Sequence, residues 1–237
     1  MKNVFMTASW NHLIMANYAV DPAILRPYLP GQTELDSFEG KYYVSLVGFL
    51  FDDVKLRGWR IPFHTRFPEV NLRFYVRYKE NGEWKRGVVF ISEIVPKPAI
   101  SWVAKTIYKE HYSTMPVRQE FNKQADQLTV GYTWKKKGID HYLAVTADPL
   151  ARPLADNSFE EFITEHFWGY SGKPGGKTVE YQVAHPRWNI FPVREHSLQC
   201  DFGQLYGSGF ALLNQQTPVS VFLAEGSPVQ IFTKKLL

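Results

Sequence analysis

Glu69-Val70-Asn71-Leu72-Arg73-Phe74-Tyr75-Val76-Arg77-Tyr78 is the stretch on which the fold turns. Its period is two. Val70, Leu72, Phe74 and Val76 fall on one face of a strand, and Glu69, Asn71, Arg73, Tyr75 and Arg77 fall on the other. The ordinary reading of such a strand is an apolar face on a core and a charged face in water. The alternative turns the polar face into a closed sheet, where it lines a pocket. An arginine there binds a carboxylate bidentately. A glutamate beside it can serve as acid or base once burial raises its pKa.

The flanks extend the β pattern in both directions. Asn81-Gly82 is a hairpin signal, and residues 84–95 form the return strand. Upstream, residues 41–51 are apolar on both faces, as a central strand should be. Glu39-Gly40 joins them to a strand over 34–38. Residues 10–15 open the chain as a strand continued by Tyr18 and Val20. Asp21 caps a short helix over 21–30 that starts on Pro22 and is stopped by Pro27 and Pro30. Residues 52–67, rich in Arg, Gly, Pro and His, read as a long loop of the functional kind.

Downstream, apolar residues at helical spacing (Ile100, Val103, Ala104, Ile107) predict a helix over 96–111, ended by residues 112–116. Strands follow over 117–122, 127–135 and 140–147. Asn157 caps a short helix over 158–167, and residues 172–176 form a Pro/Gly turn. Further strands cover 181–186, 191–201 and 219–232, with a helical turn over 202–205. The expectation is one domain spanning 1–237, α+β and mainly β. About a dozen strands and two or three peripheral helices are too many for one flat sheet, which favours a closed or sandwiched β-barrel.

Composition agrees. The 237 residues are 45% hydrophobic and 16% aromatic, enough for a sizeable core and rich in residues that suit a pleated surface. The net charge of +4 is mild. Lys135-Lys136-Lys137 precedes Gly138 and reads as a solvated hairpin, so no nucleic-acid partner is expected. No segment has the length of a membrane span, and residues 1–7 do not read as a secretory leader. The single cysteine, Cys200, allows no internal disulfide, which fits a cytoplasmic protein, and it reads as a buried inert thiol.

The common signatures of nucleotide, metalloprotease and hydrolase sites are absent, and one cysteine cannot build a CxxC zinc site. No metal or cofactor is expected. Seven histidines (His12, His64, His111, His141, His166, His185, His196) show no ligand spacing. Two stand out: His111-Tyr112 at the end of the main helix, and His185-Pro186-Arg187-Trp188, where the proline holds His185 extended and Trp188 supplies a flat wall.

These features together resemble the YqjF-type DUF2071 family of uncharacterised bacterial proteins, grouped with the acetoacetate decarboxylase-like superfamily. The resemblance spans nearly the whole chain. It rests on residues 21–30, on Phe67-Pro68-Glu69-Val70-Asn71-Leu72-Arg73-Phe74-Tyr75-Val76, on Tyr108-Lys109-Glu110-His111-Tyr112, and on His185-Pro186-Arg187-Trp188. It implies a β-barrel core enclosing a pocket. It also implies that Glu69 matches a pocket glutamate of the decarboxylases. Two departures matter. Those enzymes form a Schiff base on a lysine whose pKa a neighbouring lysine depresses. The similar region here reads Lys109-Glu110-His111, with no lysine pair, and the N-terminal arginine of those enzymes falls close to Asn11.

The pocket is therefore expected to bind a small organic acid rather than to run that amine mechanism. Glu69, Asn71 and Arg73 would be its polar groups, and Tyr75, His111, Tyr112, His185 and Trp188 its walls. Two alternatives stay open: a Schiff-base lyase using Lys105 or Lys109, and a non-enzymatic structural or partner-binding domain. The oligomeric state is left open, a homo-oligomer included.

Overall fold

The computed structural model describes residues 3–98 and 111–237. Residues 99–110, and with them most of the helix expected over 96–111 and both Lys105 and Lys109, lie outside the described residues.

Four long strands build the wall of the molecule: β1 (Val4–Val20), β3 (Tyr42–Leu56), β5 (Phe67–Glu80) and β6 (Glu83–Val95). They pair antiparallel in that order. The wall continues through β12 (Trp168–Gly172), which pairs parallel with β6, then β13 (Thr178–Ala184) and β16 (Ser220–Phe232). β16 pairs with both β13 and β1, so the path of paired strands returns to its start. Short strands extend the edges: β2 (Glu34–Leu35) on β5, β4 (Trp59–Arg60) on β3, β7 (Tyr112–Thr114) on β6, β14 (Asn189–Phe191) on β16 with β11 (Arg152–Pro153) beside it, and β17 (Lys235–Leu236) on β13. A four-stranded sheet packs outside, made of β8 (Val117–Lys123), β9 (Leu128–Lys136), β10 (Ile139–Ala147) and β15 (Val193–Gln199).

The mainly-β expectation holds, and the differences from it are local. Residues 21–30 make two 3-10 turns, Pro22–Ile24 and Arg26–Tyr28, because their three prolines leave too few N–H groups for an α-helix. Residues 52–67 are not one long loop: β3 runs on to Leu56 and folds back through β4. Residues 112–114 are a strand rather than a helix end. The short helix α1 (Phe159–Thr164) is capped by Ser158, whose Oγ accepts from the Glu161 amide at 3.1 Å, not by Asn157. That helix ends at Thr164 rather than at 167, and β12 follows over residues for which the sequence predicts no helix or strand. The hairpin at Lys137-Gly138 is as expected, with φ of +48° and +84°. No described helix is long and apolar enough to cross a membrane.

The outer faces of β1, β3 and β5 are apolar. Ile14, Leu46, Leu72 and Phe74 pack against Val130, Tyr132 and Leu143 of the outer sheet. Gly48 is required at the closest approach, since a Cβ there would lie 2.6 Å from the Tyr132 ring. Three β-bulges, two between β1 and β3 and one between β5 and β6, set which residues face inward; a fourth, at Phe5, lies in the pairing of β1 with β16. Pairing of β1 with β3 gains one residue in β3 at Asp53 and one in β1 at His12, both with left-handed φ. Pairing of β5 with β6 gains one at Ile91. Each bulge reverses the odd–even alternation beyond it. Hence Met6 and Trp10, then Leu13, face inward from β1. Phe49 and Phe51, then Val54 and Leu56, do so from β3, and Val88 and Phe90, then Glu93, from β6. The bulged His12 carbonyl accepts a 2.9 Å hydrogen bond from the Tyr132 hydroxyl, which satisfies a group the ladder leaves open.

Gly226 sits opposite Asn11 with φ of +86°, and a Cβ there would fall 1.9 Å from the Trp10 carbonyl oxygen. Gly226→Ala is expected to cost roughly 2–4 kcal/mol, against about 1 kcal/mol for Gly40→Ala, whose Cβ meets nothing within 4 Å. Equilibrium urea unfolding of the two variants checks this, and equal losses would contradict it.

Candidate ligand site

The inner face of the wall encloses a cavity of about 320 Å³. Its polar groups come from alternate residues of one strand. Glu69, Asn71 and Arg73 succeed one another along β5, and all three are buried, at 2%, 2% and 8% exposure. So the polar face points into the molecule from Glu69 to Tyr75, where β5 has no solvent face, and it emerges at Arg77, whose half-exposed guanidinium pairs with Glu34 at 3.2 Å. Glu69 and Arg73 are held about 13 Å apart along the backbone, with Asn71 between them.

The Glu69 end is a hydrogen-bonded cluster. Asn71 Nδ2 donates to Glu69 Oε1 at 3.0 Å, and the Tyr112 hydroxyl donates to Oε2 at 3.3 Å. Glu93, opposite Asn71 on β6, lines the same cavity and is 2% exposed.

The Arg73 end is different. Its Nη2 donates to the Ile163 carbonyl near the end of α1 at 3.3 Å and lies 3.8 Å from Met15 Sδ. Nε is buried and has no hydrogen-bond partner. Among the described residues no carboxylate lies within 4 Å of this guanidinium. A buried arginine is normally paired with an acid.

Behind it stands a second polar group. His166 Nε2 is 3.3 Å from Asp36 Oδ2, and Arg86 Nε donates to the same oxygen at 2.7 Å. Burial pushes the His166 pKa down to about 4, with the Asp36 hydrogen bond opposing and the nearby Arg86 and Arg73 charges assisting. Burial would raise the Asp36 pKa, but the hydrogen bonds from His166 and Arg86 outweigh it and hold the carboxyl below its usual range. At neutral pH Asp36 is thus ionised and the neutral His166 ring donates to it through Nε2, which leaves Nδ1 as a buried acceptor with no partner.

The remaining wall is aromatic. Trp10 meets Phe49, Phe51 and Trp188 edge-on at centroid distances of 5.4, 5.9 and 6.2 Å. His185 stacks on Trp188 at 4.2 Å and donates through Nδ1 to the Pro186 carbonyl at 2.9 Å. Burial, with a contribution from Arg73, lowers its pKa despite that hydrogen bond.

Of the residues singled out from sequence, Glu69, Asn71, Arg73, Tyr112, His185 and Trp188 meet at this cavity. Tyr75 does not line it. The Tyr75 ring packs behind His166 at 4.7 Å, and its hydroxyl is 2.5 Å from Ser45 Oγ. His111 does not line it either: its side chain is exposed, and its carbonyl accepts from the Glu93 amide. Asn11 borders a separate polar surface pocket with Ser9, Asp52 and Asp53. Cys200 is buried, and burial pushes its thiol pKa up, which makes it inert. Sequence reasoning missed Glu93, His166 and Asp36. Glu93 lies beyond the Ile91 bulge, where alternation misleads, and the Asp36–His166 pair spans 130 residues.

Comparison with known proteins gives a consistent result. The model of the DUF2071 family, an uncharacterized conserved protein, matches residues 7–228. The uncharacterized protein YqjF of Bacillus subtilis is 30% identical over 171 residues, covering 70% of this chain and 67% of that protein. Among solved structures, the enduracididine biosynthesis enzyme MppR with HEPES bound superimposes with a TM-score of 0.69 at 13% identity, covering 100% of this chain and 89% of that one. MppR complexed with pyruvate gives 0.66 at 12% identity, with coverage of 100% and 91%. Acetoacetate decarboxylase from Legionella pneumophila gives 0.66 at 17%, with coverage of 98% and 86%. The shared feature is the acetoacetate decarboxylase-like fold.

The His166 environment predicts a pH dependence. A histidine held neutral, with a folded pKa of about 4 against an ordinary 6.5, costs nothing above pH 6.5 and progressively destabilises the fold as pH falls toward 4. His166→Gln keeps a donor for Asp36 and removes the titration. The loss of unfolding free energy between pH 7 and 4.5 is expected to shrink by roughly 2–3 kcal/mol in the variant. Denaturant melts at the two pH values measure it, and an unchanged acid loss would refute the assignment.

Proposed function

The chain belongs to the DUF2071 family, and we propose that its cavity binds a small organic acid whose carboxylate sits on Arg73. The closed path of strands is read as the β-barrel of the acetoacetate decarboxylase-like fold, with the ligand in its interior. One observation carries the proposal: Arg73 is buried, faces the cavity and has no carboxylate partner among the described residues. A guanidinium in that state is stabilised by an anion that brings two parallel acceptors. MppR complexed with pyruvate adds support by analogy of fold only.

No lysine is among the described residues lining the cavity. The Schiff-base alternative therefore rests on Lys105 or Lys109, and borohydride trapping in the presence of acetoacetate, read by intact mass, decides it. The open volume argues against an interior filled by its own side chains.

Thermal-shift measurements with a panel of organic acids test the proposal. Acids that bind raise the melting temperature of the native chain. Arg73→Ala, compared with its own ligand-free melt, is expected to lose at least tenfold in affinity. No stabilisation by any acid, or equal stabilisation of the variant, overturns it.

A further inference from the structure

We infer that the acid taken by this cavity has an apolar body of aromatic or medium-chain size, and is not a three- or four-carbon acid. The inference rests on the proposed seat of the carboxylate at Arg73 and adds what lies beyond it. The cavity, at about 320 Å³, is in the range of pockets that enclose drug-sized molecules, so a pyruvate-sized acid fills only a fraction of it.

The walls beyond Arg73 are suited to apolar surface. Trp10, Phe49, Phe51, Phe67 and Trp188 line one continuous aromatic cluster, with Phe51 stacked on Phe67 at 4.8 Å. The one donor of Trp188 is already used: Nε1 donates to Ser227 Oγ at 2.8 Å. A small polar acid would leave these rings facing water, whereas an apolar body would displace that water.

The approach to the cavity has the same character. Ile61 both lines the cavity and is 41% exposed, which places a mouth at the segment following β4. Beside it, Trp59 and Phe63 are 78% and 87% exposed, the two most exposed large apolar side chains among the described residues. Lys55, Arg57, Arg60 and Arg66 flank them in sequence against one acid, Asp53, which pairs with Lys55 at 2.8 Å and with Arg60 at 2.6 Å, so the segment 53–68 keeps a net positive charge. A basic rim around an apolar path suits an anion with an apolar body.

Each buried methylene strengthens binding about fourfold. Calorimetric titration of the full chain with propionate, pyruvate, 3-phenylpropionate, octanoate and the neutral 3-phenylpropanamide tests the inference, with tryptophan fluorescence as a second readout, since Trp10, Trp168 and Trp188 all line the cavity. The expected result is 3-phenylpropionate and octanoate binding roughly 30-fold or more tighter than propionate and pyruvate, with the amide at least tenfold weaker than its acid. Propionate or pyruvate within a few-fold of 3-phenylpropionate overturns the inference and leaves acid binding at Arg73 standing. Binding by none of the acids overturns both. An amide as tight as its acid also overturns both, because the carboxylate would then play no part.

Discussion

Strand β5 has no solvent face between Phe67 and Val76, and that constraint organises the molecule. One face must be apolar because the outer sheet covers it, which accounts for Val70, Leu72, Phe74 and Val76. The other carries Glu69, Asn71 and Arg73 into the interior, where each buried polar group needs a partner. The fold answers at the Glu69 end with Asn71 and Tyr112. At Arg73 it supplies one backbone carbonyl and a thioether, weak partners for a full charge. That imbalance is the observation on which the proposed acid site rests.

The Arg86–Asp36–His166 chain belongs to the same electrostatic arrangement. Asp36 is fixed by a cation from β6, so the negative charge nearest His166 is already engaged and does not reach Arg73 as a partner. His166 stays neutral beside two arginines. Arg73 is thus left without a paired carboxylate among the described residues, and the ring nitrogens of His166 are set in one tautomer.

Much of the wall was legible in the sequence, since alternation and turn residues are local signals. The hairpin at Asn81-Gly82, the doubly apolar β3 and the polar face of β5 all follow from spacing. The inward direction of that face did not follow from spacing, because alternation alone is compatible with a charged face in water. Glu93 was hidden by the Ile91 bulge, and Asp36 with His166 by sequence distance. The extended ends of β3 and β4 were hidden by Arg57 and Gly58, whose turn looked like the centre of a loop although both residues take positive φ and close a tight hairpin. The 3-10 turns at 22–28 were legible as turns but not as to type, which depends on hydrogen bonds that the prolines remove.

The paired bulges at His12 and Asp53 have a consequence for how this sequence can be compared with others. Together they restore the register between β1 and β3, so the outer ends of the two strands pair as though neither insertion existed. Alternation within each strand is not restored, because each carries a single bulge: in β1, Met6 and Trp10 face inward before His12, and Leu13 after it; in β3, Phe49 and Phe51 do so before Asp53, and Val54 and Leu56 after it. A comparison that carries one odd–even parity along the whole of β1 or β3 therefore equates inward side chains with outward ones on the far side of the bulge.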